Sequence, residues 1–397
     1  MNDIQSLAYK YKDQVIAWRR RFHENPELSH EEVETSAFIA QELRRIGLEP
    51  RENVGGHGVT AVIQGGKGPG KCICLRADID ALPITEETGL PFASKKPGVM
   101  HACGHDCHGA ILLGVAHMLY ELRDQFAGSV KLLFQPSEEA GPHGSVLCIA
   151  DGVLENPKVD AIAALHMNSL FPTGQMRIKD GPMMSAAAKF ELTVHGKSGH
   201  AARPHQAVDS IAVLALLITA MQQVVSRGED PNKPCVVTVG KISGGTAPNQ
   251  ISPSASMAGS CRAPSLEILQ DMLQKIDQIA GGITQAYGAT YELHSEIACP
   301  PNINDHHMFE LGVASMQEQL GPEKTIVLTD PLPASEDFGE YGKLVPSVYM
   351  ILGARKEGWP PVTVHNCGVK FDEDSFSYGM SVMTDLALRF LAEGDAQ

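Results

Sequence analysis

The sequence contains no apolar run long enough to cross a bilayer; the longest, around Ile211 to Met221, is too short and too interrupted. It has no excess of basic residues. Lys and Arg number 32 against 47 Asp and Glu, a formal net charge of -15. That argues against a nucleic-acid partner, which demands clustered cations. The N-terminal stretch MNDIQSLAYKYKDQVIAWRRRFHENPE lacks the apolar core of a signal peptide. Its apolar residues Ile4, Leu7, Tyr11, Val15, Trp18 and Phe22 are spaced as on a helix. Cysteine is present but without a framework: the nine residues are odd in number and scattered, which reads as reduced thiols in a cytoplasmic protein. No internal repeat or low-complexity tract stands out. What remains is the composition of a globular chain, 43% apolar and 20% charged. Its 397 residues suffice for two or three domains with a large core.

The first half alternates helical patterns with short apolar strands. Residues 31–47 and 108–124 carry helix spacing, and KCICLRA (71–77), VKLLFQ (130–135) and AIAALH (161–166) read as buried strands. This rhythm predicts an α/β fold, a mostly parallel sheet with helices on both faces. Near residue 187 it changes. Strands are predicted at 190–194, 235–242, 252–262 and 290–298. One helix begins at Pro204 and carries the apolar positions 208 to 225; another is capped by Ser265. The order βαββαβ is that of a ferredoxin-like unit, a candidate insertion over 187–298. The remaining parts, 1–186 and 299–397, then form one domain, with a strand at 347–352 and a final helix from Ser375.

Four segments carry chemistry. HACGHDCHG (101–109) packs Cys103, His105, Asp106 and His108 before a helix, and a Gly-hinged Cys-Gly-His has little packing value. Thiolate and imidazole together suit a borderline metal such as zinc. FQPSEEAG (134–141) places Glu138 and Glu139 just past a strand end, where sites form in open α/β sheets. Adjacent side chains there diverge, so one can ligate metal while the other moves a proton. LHMN (165–168) ends a buried strand on His166, and VHNC (364–367) places His365 in a Gly- and Pro-rich loop. Taken singly, a Glu pair is most often solvated and a strand-end His most often packed. Together the four supply one thiolate, three imidazoles and at least one carboxylate, enough for two metals if one ligand and a water bridge them.

These motifs resemble the M20 metallopeptidase and amidohydrolase family, in its branch of hippurate hydrolases, N-acyl-amino-acid amidohydrolases and auxin-conjugate hydrolases. The resemblance runs nearly end to end: RRRFHENPELSHEE (19–32), LRADIDALPI (75–84), MHACGHDCHG (100–109), FQPSEEAG (134–141), LHMN (165–168), GPMMSAAAKFELTVHGKSGHAARPH (181–205), APNQISP (247–253), ASEDFG (334–339) and VHN (364–366). It implies a zinc-exopeptidase-like catalytic domain and an inserted lid that also dimerises. It implies two divalent ions per subunit, of zinc, manganese, cobalt or nickel, held by Cys103, His105, Glu139, His166 and His365, with Cys103 bridging. Glu138 matches the general base. His200 matches a lid histidine that stabilises the oxyanion, and Asn249 and Arg262 match substrate-binding positions. Asp78 and Asp80 are assigned behind the ligands, because related branches have a metal-binding His before the Asp where this chain has RADID. The run His365-Asn366-Cys367-Gly368 departs from the family, in which a Pro often follows two residues after this histidine.

The implied reaction is amide hydrolysis of an N-acyl amino acid, in a homodimer or tetramer formed through the lid. The alternatives are a dipeptidase or carboxypeptidase of the same family, a thiol amidase with Cys103 as nucleophile, and a non-catalytic metal- or ligand-binding relative. His23, His57, His117, His195 and His294 are expected at the surface or in packing. His101, His108 and His143 are expected behind the ligands, while Glu336 and Asp337 are expected to line the site or cap a helix.

Overall fold

The computed structural model describes residues 3–393. The chain forms two compact units, one of Met1–Met183, Ile303–Asp330 and Glu340–Gln397, the other of Met184–Asn302 with Pro331–Gly339. The short segment Pro331–Gly339 has no secondary-structure pattern that would tie it to the second unit in advance.

The first unit is built on an eight-stranded sheet. Its order is Arg51–Val54, Gly58–Gln64, Ser129–Gln135, Cys72–Asp78, Ala161–Pro172, Ser347–Arg355, Met176–Ile178, Thr325–Val327. The four central strands are mutually parallel, as the alternation of helix and strand implied. Along Ser129–Gln135, Val130, Leu132 and Phe134 enter one core with the helices Asp3–Glu24, Val33–Arg45, His105–Glu121, His306–Leu320 and Phe376–Ala392. The alternate residue Lys131 points to the other face. Its ammonium donates to the carbonyls of Val153, Glu155 and Pro157, at 2.8, 2.7 and 2.9 Å, beyond the helix Gly144–Ala150. Parallel strands end on one edge, and the register Asp78↔Gln135 and Ile351↔His166 brings the metal-type segments to that edge. His166 lies inside its strand rather than at its end, because the strand runs on to Pro172.

The second unit is a four-stranded antiparallel sheet, order Val236–Gly244, Ser254–Ala263, Ala186–His195, Thr290–Cys299. With helices Ser210–Ser226 and Leu266–Ala286 it has the βαββαβ order expected. Phe190, Leu192, Leu217, Met257, Leu269 and Ile276 are among its core residues. Ser265 caps the second helix, its Oγ accepting from the Ile268 N–H at 3.3 Å, a contact worth about 1 kcal/mol. The first helix differs from the sequence reading. Pro204 opens only a 3-10 turn, and Asp209 is the cap, accepting from the N–H groups of Ile211 and Ala212.

Candidate metal centre

Backbone geometry delivers the ligand-type side chains. Gly104 precedes the helix His105–Glu121 at φ +97°, and a Cβ there would meet Phe371 at 3.0 Å and Met167 at 3.2 Å. This turn places Cys103 and His105 on either side of it. Ser137, just before Glu138, has φ +54°, and His365 has φ +62°. Such left-handed non-glycine residues persist only where the surroundings hold them. The Ser137 N–H and hydroxyl both donate to the buried Glu32 carboxylate, at 2.7 and 3.1 Å, which fixes the turn carrying Glu138.

Cys103 lies at the middle of the cluster. Its sulfur is 3.4 Å from His166 Nε2 and 3.3 Å from His365 Nε2. His365 Nε2 is 3.2 Å from Glu139 Oε1, which is 3.9 Å from His105 Nε2. Cys103, His105 and His166 present ligand atoms within 4.8 Å of one another, and so do Cys103, Glu139 and His365. Cys103 belongs to both groups, the arrangement a bridging ligand requires. Glu138, with His105 and Glu139, forms a third such group and is buried.

The donor atoms fit a cation. His105 Nε2 and Glu139 Oε1 are buried without a hydrogen bond among the described residues, Glu139 Oε1 meeting only the His365 ring at 3.2 Å, and a cation between them would satisfy both once His105 Nε2 has lost its proton. The opposite ring nitrogens are anchored. His105 Nδ1 faces the Asp80 carbonyl at 3.0 Å and its carboxylate at 3.1 Å, and His166 Nδ1 faces the Met167 carbonyl at 2.6 Å. As donors, these Nδ1 atoms leave Nε2 free to ligate. Asp80 also accepts from the Glu139 N–H at 2.9 Å and the Ser29 hydroxyl at 2.7 Å, so one carboxylate orients two ligand-type residues.

His108 is not a ligand. Its Nε2 accepts from the Met167 N–H at 2.8 Å and its Nδ1 is bonded to Asp78. Asp78 in turn accepts from Arg76 at 2.7 Å and lies 3.7 Å from His105 Nε2. Burial opposes the charge on Asp78, but His105, His108 and Arg76 prevail and hold its carboxyl well below the usual range. His143 Nδ1 bonds the Glu138 carbonyl at 2.8 Å, behind the acidic pair. His101 is buried with neither ring nitrogen bonded among the described residues, and burial pushes its pKa down to about 4.

Burial also opposes charge on His105, yet Asp78, Asp80 and Glu139 prevail and push its pKa up to about 10. A metal ion and a proton therefore compete for Nε2. Below that pKa each ion bound at His105 must displace a proton, so apparent affinity rises with pH, by up to about tenfold per unit. Titration of the metal at several pH values checks this, with proton release read from buffers of different ionisation heat. An affinity flat between about pH 6 and about pH 8 would show that no proton is displaced.

His200, Asn249 and Arg262 lie in the second unit. His200 pairs with Gln250 in a two-residue ladder, and the Ala201 N–H donates to the Asn249 carbonyl at 3.2 Å, so His200 and Asn249 are neighbours. Both are exposed. Arg262 Nη1 donates to Ser335 Oγ at 2.7 Å. Glu336 and Asp337 are buried in the Pro331–Gly339 segment of that unit.

The expectation for His23 is corrected. It is neither a surface residue nor a mere packing group: Nδ1 is 2.7 Å from Asp106 and Nε2 is 3.1 Å from Glu86, with Arg19 also on Asp106 at 2.8 Å. The partners lie 83 and 63 residues away in sequence, so helix spacing shows only that His23 follows the buried Phe22.

The model of peptidase family M20/M25/M40 matches residues 74–389. The chain belongs to peptidase family M20. It is 40% identical over 303 residues to an N-acyl-L-amino acid amidohydrolase of Geobacillus stearothermophilus, covering 76% of this chain and 81% of that one. It is 35% identical over 392 residues to thermostable carboxypeptidase 2 of Saccharolobus solfataricus, covering 98% and 97%. Among solved structures, the YXEP protein of Bacillus subtilis, described as a dinuclear metal-binding peptidase of the M20 family, matches with a TM-score of 0.82 at 31% identity, over 97% of this chain and 99% of that one. This M20 protein is thus a hydrolase acting on amides.

Proposed function

We propose that the protein hydrolyses the amide bond of N-acylated amino acids, releasing a carboxylic acid and a free amino acid, with two divalent ions held by Cys103, His105, Glu139, His166 and His365. The observation that carries this is the membership of Cys103 in two ligand groups, beside the orphaned His105 Nε2 and Glu139 Oε1. When bound, the ions acidify water and polarise the amide carbonyl. Glu138 takes the proton from the attacking water and delivers it to the leaving nitrogen. Asp80 keeps His105 and Glu139 in register. We assign His200 to the oxyanion and Asn249 and Arg262 to the free carboxylate of the substrate, for which the guanidinium fork is well shaped. Metal analysis of the purified protein, coupled to turnover of N-acetyl amino acids, N-benzoyl amino acids and dipeptides, tests the reading. Dipeptides turned over in preference to every N-acyl amino acid would favour the carboxypeptidase alternative that the Saccharolobus relative represents. The thiol-amidase alternative leaves Glu139, His166 and His365 without a task.

Arg262→Ala should raise KM for substrates with a free carboxylate by at least about tenfold, the scale of one lost charge-assisted contact, with kcat little changed. The corresponding substrate amides should be nearly indifferent. Equal losses on acids and amides would remove Arg262 from carboxylate binding.

A dimer or tetramer through the second unit is the assembly this reading carries, and the apolar surface of that unit supports it. The helix Ser210–Ser226 is apolar nearly all round, with Ile211 44% and Leu216 42% exposed. The edge strand Val236–Gly244 exposes Val236 and Ile242. We also place the protein in the cytoplasm, a reading supported by its nine free cysteines. No helix of the described residues is long and apolar enough to cross a membrane.

A further inference from the structure

We infer that His23 and Glu86 are positioning residues for the ligand His365, anchoring the long loop that holds its turn in place. The inference rests on the metal-centre reading above. His365 differs from the other two histidine ligands. His105 and His166 each have Nδ1 fixed by a carboxylate or carbonyl. The His365 side chain is half-exposed, its Nε2 faces Cys103 and Glu139, and its Nδ1 has no protein partner among the described residues. Its orientation must therefore come from the backbone, which is itself in the left-handed region.

Two bonds hold that turn to its surroundings. The His365 N–H donates to the Ala102 carbonyl at 2.9 Å, and the Glu87 N–H donates to the Cys367 carbonyl at 2.8 Å. The Cys367 thiol adds a contact to the Glu87 carboxylate at 3.3 Å. The second anchor is only as rigid as residue 87. That residue lies in the segment between the strand Cys72–Asp78 and Cys103, which has no helix and only isolated bridges at Ala81, Leu82 and Met100. Regular structure does not fix it. Glu86 does: its Oε2 accepts from the Ser94 N–H at 2.6 Å, closing the loop on itself, and its Oε1 meets Thr88 Oγ1 and His23 Nε2.

His23 is held from behind. Its other nitrogen is on Asp106, the residue after His105, and its ring edge meets Phe92 with centroids 5.7 Å apart. The Arg19 guanidinium sits 4.8 Å from the same Phe92 ring and bonds Asp106. Burial and Arg19 oppose charge on the ring, but Asp106 and Glu86, one at each nitrogen, prevail and raise its pKa above the ordinary histidine value. The Glu86 carboxyl is correspondingly pushed down to about 2, against its burial. Bonds thus run from the residue beside His105, through His23, to the residue before Glu87, and from Glu87 to the His365 turn. The N-terminal helix ties together two ligand segments that are far apart in sequence.

The test uses metal-loaded full-length protein and Glu86→Gln. An amide keeps the shape but offers one acceptor oxygen where the carboxylate serves Ser94 on one side and His23 with Thr88 on the other. Release of zinc to a chromophoric chelator should show two phases in the wild type, one of them missing in His365→Ala. In Glu86→Gln that phase should accelerate about tenfold or more, with the other phase unchanged. Thr88→Val, which keeps the charge, should shift it in the same direction by less, and decides the matter if Glu86→Gln does not fold. Wild-type release rates in the folded variants, or equal acceleration of both phases, would overturn the inference while leaving the metal centre intact. A wild type with no His365-dependent phase would overturn the metal-centre reading and this inference together.

Discussion

Glu138→Gln should retain both metal ions and lose ~10²–10⁴-fold in turnover, the range that a positioned proton acceptor supplies. The amide is nearly isosteric, and Ser137, locked to Glu32, still presents residue 138 from the same turn. What is lost is the lone pair that takes the proton and the acid that returns it. Because the proton moves in the transition state, kcat and kcat/KM should fall together while substrate still binds. Metal content by elemental analysis, with single-turnover kinetics on an N-acyl amino acid, checks both halves. A metal-replete variant with wild-type turnover would remove Glu138 from the reaction.

Cys103→Ser is expected to fail in another way. A hydroxyl is a poor replacement for a thiolate that belongs to two ligand groups, so affinity for both ions should fall by at least about 100-fold, with activity falling in step. Added metal should restore part of the activity. The thiol-amidase alternative predicts the reverse: full metal occupancy and no activity at any metal concentration. The measurement is ions per chain against turnover across a metal titration, and loss of turnover at two ions per chain would favour the nucleophile.

The motif-bearing segments were legible because metal chemistry uses few residue types. Cys103, His105, Glu139, His166 and His365 stand within 4.8 Å of one another in overlapping groups, as donors of that chemistry must. Strands and helices with long periodic patterns were legible too, including the Ser265 cap. Less could be read where partners are distant or elements are short. Met176–Ile178 and Thr325–Val327 have three residues each, too few to show alternation. Pro204 looks like a helix start because its fixed φ suits the first turn, but the side-chain cap that closes the N-terminus belongs to Asp209. The network of Arg19, His23, Glu86 and Asp106 has no local signature as a network. Arg19 and His23 lie in one motif, Asp106 in another and Glu86 in none, and only folding brings them within bonding distance inside the core.

The ligand-type residues span positions 103 to 365, and the whole βαββαβ unit is inserted between His166 and His365. On a growing polypeptide, His365 would leave the ribosome only after that inserted unit had been synthesised and could already have folded by itself around its own core. A complete set of ligand-type residues is then available only after the inserted unit has been made, and a chain truncated before residue 365 lacks one of them however well its inserted unit is packed.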